Sequence, residues 1–145
     1  MKRFRFALDR LLALRKYREQ EWERKLAAAT GKVVTTQKEI DRRVLEKARA
    51  LREQYRGGAD IMHLLATSEY MRRLDQELEQ AQLMLARYKV EWDEVQVKYL
   101  EHSRERKVLD RLKERKAQEY VRSSRVQEVK ELDDISSGRA ASAGA

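Results

Sequence analysis

The sequence has no cysteine and no proline, only 5 glycines, and 7% aromatic residues. Without cysteine there is no disulfide framework, no thiolate nucleophile and no cysteine-based zinc or iron–sulfur site. Without proline the commonest helix breaker is missing, so helices can run long. A length of 145 residues would allow one domain. However, 41% apolar residues and a mean hydropathy of −0.86 leave too little apolar surface for a compact core of that size. An enzyme domain with strands, Gly/Pro loops and a concave pocket is therefore not expected. Long apolar runs are lacking too. The opening Met1-Lys2-Arg3 has the basic start of a signal peptide, but Asp9, Arg10, Arg15, Lys16 and Arg18 leave no apolar region behind it. Nothing approaches the ~18 apolar residues of a spanning helix, and the chain is expected to stay in the cytosol.

What the sequence has in excess is charge, 40% of residues against about 25% in an average domain. That composition suits either a long coiled coil or a disordered polyampholyte, and periodicity decides between them. Met71, Leu74, Leu78, Ala81, Leu85, Tyr88, Trp92, Val95 and Tyr99 step by three and four without a miss. This is the a/d seam of a two-stranded coil, which a disordered chain has no reason to keep. The seam thins through His102 and Arg106, picks up Leu109 and Leu112, and returns at Val126, Val129 and Leu132. Trp22, Leu26, Ala29, Val33, Ile40, Val44, Ala48, Leu51 and Tyr55 form a second seam close to an 11-residue repeat, with Gln37 at the skipped place.

Between the seams, Arg56-Gly57-Gly58-Ala59-Asp60 offers the glycines of a helix end and then Asp60 as an N-cap. So short a connection forces two helices antiparallel. The predicted fold is all-α: a long antiparallel two-helix coiled-coil hairpin with a C-terminal helical overhang. Residues 1–135 form a single hairpin, with helix 1 over about 3–55, a turn at 56–59 and helix 2 over about 60–135. Residues 136–145 form a flexible tail. A fold at residue 58 sets residue i opposite roughly 116 − i, so that Phe4 falls near Arg111–Leu112 and the chain beyond projects unpaired. Gly31 is an internal flaw costing about 1 kcal/mol against alanine.

Charge is distributed unevenly: residues 1–18 carry +6, 19–101 carry −1, 102–125 carry +5 and 126–145 carry −2. The hairpin brings the two basic segments together, making a pole that steers an acidic partner or polyanion. Composition alone suits a nucleic-acid arm as well as a stalk docking on an acidic protein.

Chemistry is hard to find. His63 and His102 are the only histidines and have no ligand-like neighbours in sequence, so no metal site is expected. Carboxylate pairs such as Asp93/Glu94 and Asp133/Asp134 sit on solvated helix faces, where surface ion pairing outweighs acid–base catalysis. Gly57-Gly58 lacks the frame of a phosphate-binding loop. No catalytic residue and no cofactor is predicted. Trp22, Tyr55, Tyr88, Trp92 and Tyr99 fall on seams and are expected to pack. Phe4 and Phe6, set among arginines, suit a cap on the coil, a membrane contact or a partner contact.

Two stretches are more specific than their composition. The start, Phe4-x-Phe6-x-Leu8-x-x-Leu11-Leu12-x-Leu14-Arg15, leads to Leu26-Ala27-Ala28-Ala29. The later stretch is Glu105-Arg106-Lys107-x-Leu109-x-x-Leu112-Lys113-Glu114-Arg115 with Tyr120, closing on Glu128-x-x-x-Leu132-Asp133-Asp134-Ile135 and Arg139. Together they resemble the FliJ family of flagellar type III export proteins. The resemblance implies a non-enzymatic coiled-coil stalk, similar to the central stalk subunit of rotary ATPases. It would be cytoplasmic, at the cytoplasmic face of the inner membrane, touching the membrane only indirectly. Its implied partners are the export ATPase hexamer (FliI type), the cytoplasmic domain of the export gate (FlhA type) and export chaperones, with no nucleic acid. The ATPase-facing candidates are Phe4, Phe6, Leu8, Leu11, Arg15, Lys107, Leu112, Lys113, Arg115 and Tyr120. The gate-facing candidates are Ile61, Leu64, Leu65 and Tyr70. Besides the nucleic-acid arm, the alternatives are the equivalent stalk of a virulence injectisome and a plain dimerising spacer.

Overall fold

The computed structural model describes residues 3–54, 56 and 60–144. The bend expected at 56–59 with its Gly57-Gly58 pair, and the seam position Tyr55, lie outside them. Among the described residues there are two helices and no strand: α1, Asp9–Gln54, and α2, Ile61–Ala143. The two pack against each other.

Both helices differ from expectation at their ends. Residues 3–8 precede α1, and the Phe6 carbonyl accepts from the Asp9 amide at 3.2 Å. Asp9 then places its carboxylate at the positive end of the helix dipole. Asp60 supplies the first carbonyl of α2, accepting from the Leu64 amide at 3.0 Å. The helix expected to stop near residue 135 continues to Ala143. Ala140, Ala141 and Ala143 are strong helix formers, and the Ser136 and Ser142 hydroxyls donate to the carbonyls of Asp133 and Arg139.

Contacts divide the chain into two compact units, a middle one of Gln20–Leu100 and a terminal one of Met1–Glu19 with Glu101–Ala145. In the middle unit all nine α2 seam positions from Met71 to Tyr99 are buried or half-buried. Opposite them Ile40 packs with Leu78 and Leu85, flanked by Val33 and Ala81. Each such apolar side chain contributes roughly 1.5–3 kcal/mol when fully buried. The pairs Lys32–Glu91, Arg43–Glu77 and Lys47–Asp75 join the helices. They put residue i opposite about 122 − i rather than 116 − i.

The 11-residue beat expected on α1 is not what packs. Val44 and Leu51 are exposed, and the inward positions are Trp22, Leu26, Ala29, Val33, Thr36, Ile40, Arg43, Lys47, Ala50 and Gln54. That is an unbroken alternation of fours and threes. Arg43 and Lys47 lay their alkyl stems in the seam and extend their charges to Glu77 and Asp75. Thr36, not Gln37, fills the place between Val33 and Ile40.

Trp92 donates its indole N–H to the Thr30 hydroxyl at 2.8 Å, and that hydroxyl donates to the Leu26 carbonyl at 2.8 Å. The large aromatic thus enters the seam with its polar edge satisfied. Lys25 covers the Trp22 ring at 4.2 Å and Lys32 the Tyr88 ring at 5.7 Å. A Cβ on Gly31 would meet nothing within 4 Å, so packing does not explain that glycine.

Candidate partner-binding site

In the terminal unit residues 3–6 are not helical and residues 7–8 form a turn into α1. Lys113–Asp9 continues the register of about 122 − i, which takes Phe4 past Leu112 to Tyr120, where the two rings lie 5.6 Å apart and tilted by 46°. Phe6 is buried at 8% exposure and Leu12 at 3%. The two phenylalanines therefore close one end of this unit, and Phe6 has no surface to offer a membrane. The unpaired part of α2 starts later than expected: Ser124 is half-buried, and every described residue from Arg125 on is exposed.

The inward row of this unit is strongly polar. Arg15 and Glu19 continue from Leu12 on α1, facing His102, Ser103 and Arg106 on α2. Arg106 binds Glu19 across the helices and Asp110 along its own, while Arg15 binds Glu105 and Lys113 binds Asp9 at 2.7 Å. The hydrogen bond to Glu19 holds the Arg106 guanidinium above its usual range. His102 Nδ1 lies 3.6 Å from Glu105.

The candidate residues divide by what they already touch. Phe4, Phe6, Arg15, Leu112, Lys113 and Tyr120 are buried or half-buried within the unit, with Arg15 and Lys113 engaged by carboxylates. Leu8, Leu11, Lys107 and Arg115 are exposed. Arg3, Phe4, Arg5, Phe6, Arg10 and Lys113 line a shallow groove with Ala7 and Asp9. None of Arg3, Arg5 and Arg10 has a carboxylate among the described residues within ion-pairing distance. Counting by unit, the terminal one carries +7 and the middle one +1.

In the middle unit Ile61, Leu64, Leu65 and Tyr70 are exposed at 72%, 38%, 62% and 47%, and Met62 joins them at 72%. By the register above, Gln54 falls opposite about residue 68, and Ala50 and Glu53 of α1 line a pocket with His63, Ala66, Thr67 and Tyr70 of α2. Sequence reasoning missed the polar seam members Glu19 and Ser103, although their spacing from Leu12 and Tyr99 continues the repeat. No three His, Asp or Glu side chains converge among the described residues, and no helix there is long and apolar enough to cross a membrane.

The sequence model of one family, described as FliJ, flagellar FliJ protein, matches residues 4–145. No curated protein matches the chain, and no solved structure does.

Proposed function

Because the chain belongs to the flagellar FliJ family, whose members are non-catalytic coiled-coil components of flagellar export, we propose that it is a stalk for the export machinery. Its terminal unit docks on the hexameric export ATPase (FliI type). The exposed start of α2, with Ile61, Leu64, Leu65 and Tyr70, engages the cytoplasmic domain of the export gate (FlhA type). Emptied export chaperones bind the same stalk, and the chain acts as one hairpin at the cytoplasmic face of the inner membrane.

The observation that carries this is the concentration of charge: the terminal unit holds +7 of the net +8. A field of that kind speeds docking on an acidic partner and weakens with salt. A stalk needs no chemistry of its own to act. An asymmetric pair of helices cannot touch six equivalent subunits alike, and contacts that differ between nucleotide states bias the ring's conformational equilibrium. Stoichiometric addition of the chain to the purified, hexamerising ATPase is expected to raise turnover or the hexamer fraction. An unchanged rate together with no co-sedimentation sinks the proposal. In the same assay format, Leu65→Asp is expected to weaken binding to the gate domain and leave ATPase binding intact.

A further inference from the structure

α2 presents, within the terminal unit, a row of cations that the fold does not use. Arg104, Lys107, Arg111, Arg115, Arg122 and Arg125 follow one another at helical intervals of three and four, with Gln118 in the one open place. The row spans about 32 Å and lies on the face opposite the seam residues His102, Arg106, Leu109, Lys113 and Tyr120. All six side chains are exposed, and none has a carboxylate among the described residues within ion-pairing distance. Of the segment's four carboxylates, Glu105 pairs with Arg15, Asp110 with Arg106 and Glu119 with Lys116, while Arg115 and Arg122 act on Glu119 only through space and Glu114 makes no ion pair among the described residues.

Like charges three and four apart on a helix repel, by about 0.2–0.5 kcal/mol for each pair. The row therefore costs the isolated helix stability, offset in part by the attraction of Arg115 and Arg122 for Glu119. Arg15, Arg106 and Lys113 contribute to the net charge of the unit, but their charges are already met internally. A partner meets the outer row first.

We infer that this outer row is the electrostatic docking face of the terminal unit and that it fits an acidic protein surface, a groove or helix with carboxylates at matching helical spacing. The inference rests on the docking reading above and names which cations carry it. Nucleic acid is disfavoured because no aromatic side chain lies on this face to stack a base, Tyr120 being turned to Phe4. A lipid surface is disfavoured because the row's large apolar neighbours are the separate valines Val108, Val121 and Val126, with no aromatic or leucine among them to insert into a bilayer.

The test compares the wild-type chain with two charge-reversal variants of equal charge change. One is Lys107→Glu/Arg111→Glu/Arg115→Glu on the row. The other is Arg24→Glu/Lys38→Glu/Arg52→Glu on the exposed side of α1 in the middle unit. Binding to the purified export ATPase is titrated at several salt concentrations, with transfer RNA and phosphatidylglycerol vesicles as separate probes. The row variant is expected to keep wild-type helicity and lose about ten- to a hundred-fold in ATPase affinity, while the α1 variant stays within about twofold. If the wild-type chain binds the ATPase and the row variant binds equally well, the inference falls and the docking reading stands. If the wild-type chain does not bind the ATPase at all, the docking reading fails and takes the row assignment with it. Row-dependent binding to RNA or vesicles that is tighter than ATPase binding overturns the choice of an acidic protein.

Discussion

The two units use the same helices and the same alternation of threes and fours, yet spend their charge in opposite ways. In the middle unit, apolar residues such as Ile40, Leu74, Leu78 and Leu85 fill the seam. Charged side chains there bridge the helices from its edges, and the net charge is close to zero. In the terminal unit the seam itself takes in Arg15, Glu19, His102 and Arg106, and an outward row of cations is left without partners. Burial of apolar area dominates stability where the core is oily. Where polar groups enter the seam, they add less net stability but demand a particular alignment.

The sharpest way to break this contrast is Leu85→Ala in the middle unit. It is expected to cost about 2–4 kcal/mol, through lost transfer energy and a cavity beside Ile40 and Leu78. A fall in the urea midpoint at unchanged slope would register it, and a loss below 1 kcal/mol would mean that the seam is not the main source of stability. Next comes Arg106→Ala in the terminal unit, which strands Glu19, a residue only 9% exposed. The expected cost is about 1–2 kcal/mol, with faster amide exchange around residues 15–19 and 103–110 and no change near Leu78.

The smallest effect is acid weakening. Glu39 and Glu69 in the middle unit and Glu119 in the terminal one are held below the usual carboxylate range, chiefly by hydrogen bonds from Arg42, Arg72 and Lys116. A carboxylate favoured in this way stabilises the fold fully above its unfolded pKa of about 4.3. The benefit falls away as pH drops through that value toward the lower folded one. Thermal midpoints are expected to be flat with respect to these groups from pH 5 to 8 and to decline below about pH 4. Weakening that sets in above pH 6 would point to other groups.

Much of the fold was legible because α2 writes its seam in apolar letters from Met71 to Tyr99. The second half of the α1 seam was misread for a physical reason. A search for apolar residues selects Val44 and Leu51, whereas the packed positions are Arg43, Lys47 and Ala50. Long cationic side chains fill a seam with methylenes while keeping their charge at its edge, so residue type misleads where spacing does not. At the site, the meeting of the two basic segments was readable from charge arithmetic. The placement of Phe4 on Tyr120 was not, because it depends on a register set by the pairs Lys32–Glu91, Lys47–Asp75 and Lys113–Asp9, about six residues from the one a bend at residue 58 implies. Nor did composition separate Lys113, tied to Asp9, from the free Lys107 and Arg115. Only the pairing geometry sorts structural cations from available ones.

The clasp of Arg106 between Glu19 and Asp110 also acts as a detent against sliding. Were α2 displaced along α1 by one heptad toward the N-terminus, about 10 Å, the apolar seams could still mesh in outline. Arg106 would then sit against Leu12 and Glu19 would lose its guanidinium. Leaving the Glu19 carboxylate without its guanidinium costs the same as Arg106→Ala, about 1–2 kcal/mol, so the clasp favours this register over the shifted one.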